Sequence, residues 1–82
     1  MAIITAKQVA ALLEAKGLPT FEIHEPNENE DGMVMLTALV HVQVGYDYVN
    51  VVRQCGPHEF LFYPLRTGVK ALLADVQAAF NA

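Results

Sequence analysis

At 82 residues the chain makes one domain, and its net charge of -4, from nine Asp and Glu against five Lys and Arg without a basic cluster, excludes nucleic acid as an expected partner. A body of this size buries only roughly 60% of the surface its unfolded chain exposes, yet 54% of the residues are hydrophobic, which leaves apolar surface for another chain to cover. Cys55 is the only cysteine and rules out an internal disulfide, and no stretch approaches the roughly 20 apolar residues of a membrane-spanning helix.

Residues 1–8 lack a charged start followed by a long apolar run, so no export signal is read and the cytoplasm is the expected location. Thr5 with Gln8 three residues later matches a capping box, and Gly17 followed by Pro19 is a stop, which predicts a helix over 5–16. Val9, Leu12 and Leu13 share its apolar face. Residues 21–25 alternate apolar and polar, as a half-buried strand does, with Phe21 and Ile23 toward the core. Residues 26–32 collect turn formers and acids, an exposed loop ending at Asp31-Gly32.

Residues 33–44 carry no charge, proline or glycine. Every even position is aliphatic (Val34, Leu36, Ala38, Val40, Val42, Val44), whereas the odd ones mix Met33, Met35 and Leu39 with Thr37, His41 and Gln43. That predicts a strand with a core face and an ambiguous face. One straight strand of this length would run roughly 40 Å, too long for a small domain, so a bend, a bulge or an early start that is not paired is expected. Gly45-Tyr46 fits a two-residue type II′ hairpin, which sets Val42 against Val49, Val40 against Val51, His41 against Asn50 and Leu39 against Val52. Leu36 would then meet Cys55 on the core side.

Gly56-Pro57 turns the chain into a further strand over 58–65, with Phe60 and Phe62 on the core face and Leu61 and Tyr63 on the other. A second helix over 67–80 has Val69, Leu72, Leu73, Val76 and Phe80 as its stripe. The expected fold is therefore α+β: an antiparallel four-stranded meander sheet flanked by an N-terminal and a C-terminal helix, both on one face.

No catalytic, cofactor or metal motif stands out. Cys55 and His58 have a spacing seen in zinc sites, but a second pair is missing, and a buried thiol beside an exposed turn histidine is the simpler reading. The same pair as a catalytic nucleophile and base, oriented by Glu59 or Glu25, lacks an oxyanion loop. Glu28, Glu30 and Asp31 lack the spacing of a calcium loop and read as solvated acids. Arg66 ahead of the second helix reads as a surface charge rather than an anion site.

What remains is the second face of the sheet, with Met33, Met35, Leu39, His41, Tyr48, Asn50, Val52, Leu61 and Tyr63 as candidate interface residues. Met and Tyr among uncharged polar groups are typical of interface patches. Two readings follow. One is a non-catalytic protein that homodimerises or binds a partner protein through this face. The other is a small-ligand binder or enzyme using His41, Tyr48, Asn50 and Tyr63 as polar handles at the sheet-helix or subunit interface. The order helix, sheet, helix in a small acidic chain is similar to that of type III secretion chaperone-like domains; the resemblance is one of topology, carried by no motif, and implies dimerisation and binding of protein segments.

Overall fold

A computed structural model describes residues 5–81. The elements run α1 (Ala6–Ala15), β1 (Glu22–His24), β2 (Gly32–Met35), β3 (Val40–Val44), β4 (Val49–Gly56), β5 (Glu59–Phe62) and α2 (Val69–Asn81). Every strand pairs antiparallel with the next, giving one open sheet of order β1-β2-β3-β4-β5. The α+β class and the two flanking helices are as expected, but there are five strands, not four.

The extra strand comes from the run 33–44, which folds back on itself rather than bending. The Thr37 hydroxyl accepts from the backbone N–H groups of Leu39 and Val40 at 3.0 and 3.1 Å, and the Leu36 N–H reaches the Val40 carbonyl at 3.0 Å. A threonine side chain thus replaces the glycine or asparagine that turns commonly use. Leu36 plugs the core beneath this turn, whereas Ala38 is exposed at its tip.

The β3–β4 hairpin is also wider than two residues. Val44 pairs with Val49, and the four-residue connection is closed by the Gly45 N–H donating to the Tyr48 carbonyl at 2.8 Å. A type II′ turn needs positive φ at its first central residue, and among the described residues only Gly17 has it. Glycine at position 45 leaves room for the Tyr48 ring, which a Cβ there would displace. Relative to the expected register every β4 residue moves by two, so His41 faces Val52 and Gln43 faces Asn50. An even shift preserves which face each side chain occupies.

The β4–β5 hairpin shifts by one instead. Gly56 pairs with Glu59, but Gln54 pairs with Phe60 and Val52 with Phe62, leaving Cys55 as an extra residue in a bulge. A one-residue slip exchanges the faces of everything beyond it. Phe60 and Phe62 therefore leave the core face, Leu61 joins Arg53 on the helix side, and Tyr63, whose N–H donates to the Val51 carbonyl at 2.9 Å, packs against the core. This reverses the expected placement of Phe60, Phe62, Leu61 and Tyr63, and it exposes the Cys55 thiol expected to be buried.

Both helices lie on one side. Ala6, Val9, Ala10 and Leu13 of α1 join Leu72, Val76 and Ala79 of α2 over Val34, Leu36, Val40, Val42, Val44, Val49 and Val51 in one buried cluster. Phe21 and Ile23, though on the core-facing parity of β1, are exposed at the sheet edge.

The ends of α1 are well satisfied. Thr5 and Gln8 form the expected capping box. Beyond it, the Glu25 carboxylate accepts from the N–H groups of Ala6 and Lys7 at 2.8 and 3.1 Å, placing negative charge at the positive end of the helix dipole. At the other end the Gly17 N–H reaches the Glu14 carbonyl and the Leu18 N–H the Leu13 carbonyl, a Schellman arrangement with Gly17 at φ +79°. Helix α2 begins at Val69, two residues later than the spacing suggested, where the Leu72 N–H bonds the Gly68 carbonyl.

Replacing Gly17 by Ala forces a Cβ into the left-handed region and should destabilise the protein by about 1 kcal/mol in urea unfolding. Thr37→Ala removes two hydrogen bonds from a turn without a glycine and should lower stability by about 1 kcal/mol. A neutral Thr37 variant would mean that the turn is held by its flanking strands alone.

Candidate functional site

The face of the sheet away from the helices is uncovered by any element of the described chain. Its side chains form rows across the strands. Glu22, Met35, His41, Val52 and Phe62 oppose one another in turn from β1 to β5. A second row runs His24, Met33, Gln43, Asn50. At the far end the Leu39 carbonyl accepts from Gln54 N–H at 2.7 Å, and Gln54 opposes Phe60.

These rows enclose a concavity of 630 Å3, within the size range of sites that take small ligands or single side chains. Met33, Val52, Phe60 and Phe62 give it apolar walls, while His24, His41 and Gln43 add polar groups. Val52 is only 3% exposed although no helix covers it, because His41 and Phe62 flank it in the register. Phe60 and Phe62, two residues apart on β5, have ring centroids 6.3 Å apart and stand 49% and 64% exposed. Two adjacent aromatic rings about half or more in water on one strand each forfeit apolar burial.

One rim of the concavity is the β1–β2 loop. The Asn27 side chain accepts from the N–H groups of Asn29 and Glu30 at 2.8 and 2.9 Å, which shapes the loop. Asp31 then ties it to the sheet: its Oδ2 accepts from Gln43 Nε2 at 2.9 Å and from the Tyr48 hydroxyl. The bond to Asp31 pushes the Tyr48 phenol above its ordinary pKa. Gly32 starts β2 where a Cβ would collide with the His24 carbonyl and Pro26, so the loop can close tightly against β1. His24 Nε2 lies 2.8 Å from Glu22 Oε1 on the same face.

Two groups are held away from water. Burial pushes the half-buried His41 imidazole below its ordinary pKa and favours the neutral ring. Asn50, opposite Gln43, is only 4% exposed, and its Oδ1 has no hydrogen-bond partner among the described residues.

Of the nine residues singled out from sequence, Met33, Met35, His41, Asn50 and Val52 are brought together on this face, with Leu39 and Tyr48 at its ends. Leu61 and Tyr63 are on the other side. Phe60, Phe62 and His24 were not anticipated here; the bulge that turns the two phenylalanines outward is encoded by no residue pattern, whereas His24 could have been found from its alternation with Ile23.

The other candidate chemistry is not assembled. The Cys55 Sγ lies 3.7 Å from the Arg53 carbonyl, Glu25 is engaged as a helix cap, and no group of three His, Cys, Asp or Glu among the described residues converges on a metal position. The Arg66 guanidinium is committed to Asp75, through Nε at 2.8 Å and Nη2 at 3.4 Å. No described helix is long and apolar enough to cross a membrane. Comparison with protein-family models, curated proteins and solved structures gives no match.

Because the folded state lowers the His41 pKa, the unfolded chain binds more protons around pH 6.5, and stability contributed by neutral His41 is lost as pH falls through that range. The drop in melting temperature between about pH 7.5 and about pH 5.5 should be smaller in His41→Gln than in the wild type. Equal drops would mean that other groups carry the acid sensitivity.

Proposed function

We propose that this is a non-catalytic binding protein whose working surface is the uncovered sheet face, where a segment of a partner protein seats against Met33, Val52, Phe60 and Phe62. The observation that carries this reading is the outward placement of Phe60 and Phe62 beside a 630 Å3 concavity. Paired aromatic rings beside a partly buried apolar floor are the anchors that protein interfaces favour. Catalysis has less support, since no nucleophile, base and orienting group stand together there.

Self-association through the same face is the competing form of this reading. A two-fold that stacks β1 on β1 would set the carboxylates of Glu22, Glu30 and Asp31 of one copy toward those of the other, which electrostatic complementarity disfavours, whereas one that stacks β1 on β5 would keep them apart. A partner segment meets no such conflict.

Phe62→Glu should leave the protein folded at a cost of about 1 kcal/mol, because the ring is mostly in water but covers Val52 and packs on Phe60. It should also remove most binding of a neutral apolar dye such as Nile red to the native protein. Dye binding equal to wild type would refute the open face as the sticky surface. Light scattering should give a monomer at micromolar concentration; a dimer that Phe62→Glu dissociates would assign the face to a second copy instead.

A further inference from the structure

The Lys and Arg residues of this chain are gathered on one side, while its acids are on both. All five cationic residues lie on the helix side. Lys7 is in α1, Lys16 caps its C-terminus and Lys70 is in α2. Arg53 points to α2, its Nη1 donating to the Ala79 carbonyl at 2.8 Å, and Arg66 is paired with Asp75 of the same helix. Among the described residues the uncovered face carries no Lys or Arg; its basic side chains are His24, beside Glu22, and the half-buried His41. It is bordered by Glu22 on β1 and by Glu30 and Asp31 of the β1–β2 loop, the latter two lining the concavity.

This border is separate from the apolar floor in origin and in chemistry. Both hydrogen bonds that anchor Asp31 go to Oδ2, so Oδ1 remains an acceptor, and the Glu30 side chain is exposed. The surface therefore offers carboxylates on the β1–β2 side, aromatic rings on β5 and an apolar floor between them. Ammonium and guanidinium groups match all three: they donate to carboxylates, they are attracted to aromatic faces, and their aliphatic stems cover apolar surface.

Resting on the reading that a partner segment occupies this face, we infer that the segment is basic and apolar. It places a lysine or arginine against the Glu30–Asp31 border and its apolar neighbours on Phe60 and Phe62. An acidic segment would meet like charge, and a purely apolar one would strip water from the carboxylates without replacing it.

The test is selection of a random displayed peptide library on the wild-type protein, with counter-selection on Phe62→Ala. Peptides whose enrichment depends on Phe62 should be rich in Lys or Arg next to aliphatic or aromatic residues. Resynthesised, they should bind roughly two- to fivefold more weakly to Glu30→Gln, and more weakly still as salt is raised from about 0.05 to about 0.5 M. Exposed Glu30 supports no packing, so its variant remains folded. Phe62-dependent peptides without excess Lys or Arg, or with affinity indifferent to Glu30→Gln and to salt, overturn the charge inference and leave the open-face reading standing. If no peptide depends on Phe62, the open-face reading falls and the inference falls with it.

Discussion

Only one face of the five-stranded sheet is covered, and the whole molecule follows from that constraint. Two helices supply enough apolar surface for a single layer, so each strand must send alternate residues to the helices and the rest to the other side. Val34, Val42 and Val51 form the central row of the covered face, opposed strand to strand and fully buried. Around this row a register change of two residues is harmless, whereas a change of one is not. The bulge at Cys55 is such a change. It keeps Arg53 and Tyr63 with the helices and turns Phe60 and Phe62 to the open side.

The open face is in this sense a product of the core. Val52 is buried there by its cross-strand neighbours rather than by a second layer, and the two phenylalanines continue its apolar surface into water. A small body with so high an apolar fraction cannot hide everything. Part of the surplus is exposed elsewhere, at Phe21, Tyr46 and Leu65, but Phe60 and Phe62 place theirs on the open face beside Val52 and polar groups contributed by β1, β2 and β3.

The acidic loop between β1 and β2 shares in both sides of the molecule. Glu25 at its start closes the N-terminus of α1 on the covered side, and Asp31 at its end holds Tyr48 and Gln43 on the other. With Asn27 shaping the middle through the Asn29 and Glu30 N–H groups, the loop backbone and the Asp31 carboxylate that border the concavity are held by hydrogen bonds. Their position relative to the aromatic rings is thereby set by the fold rather than by the solvent, which is what recognition of a charged group requires.

Local chemistry was enough to read much of this in the chain itself. Thr5 and Gln8 announce the start of α1 and Gly17 its end, because caps involve neighbours within a turn. The even positions of 33–44 declare a core face because strand periodicity is a local property, and that face held at all of them except Ala38, exposed at the tip of the turn, even though the hairpin register moved by two. What sequence could not decide were the features that depend on distant partners. The reversal at Thr37 carries no glycine, proline or asparagine and is chosen because the folded-back strand buries Val34 against Val42. The Cys55 bulge depends on how β5 is held against β4 and by Tyr63 in the core. Sequence by itself determined which residues must be buried, since hydrophobicity and period are written residue by residue. Only the tertiary structure decided that Phe60 and Phe62 are not among them, because a one-residue slip between strands is a relation between segments and has no signature within either.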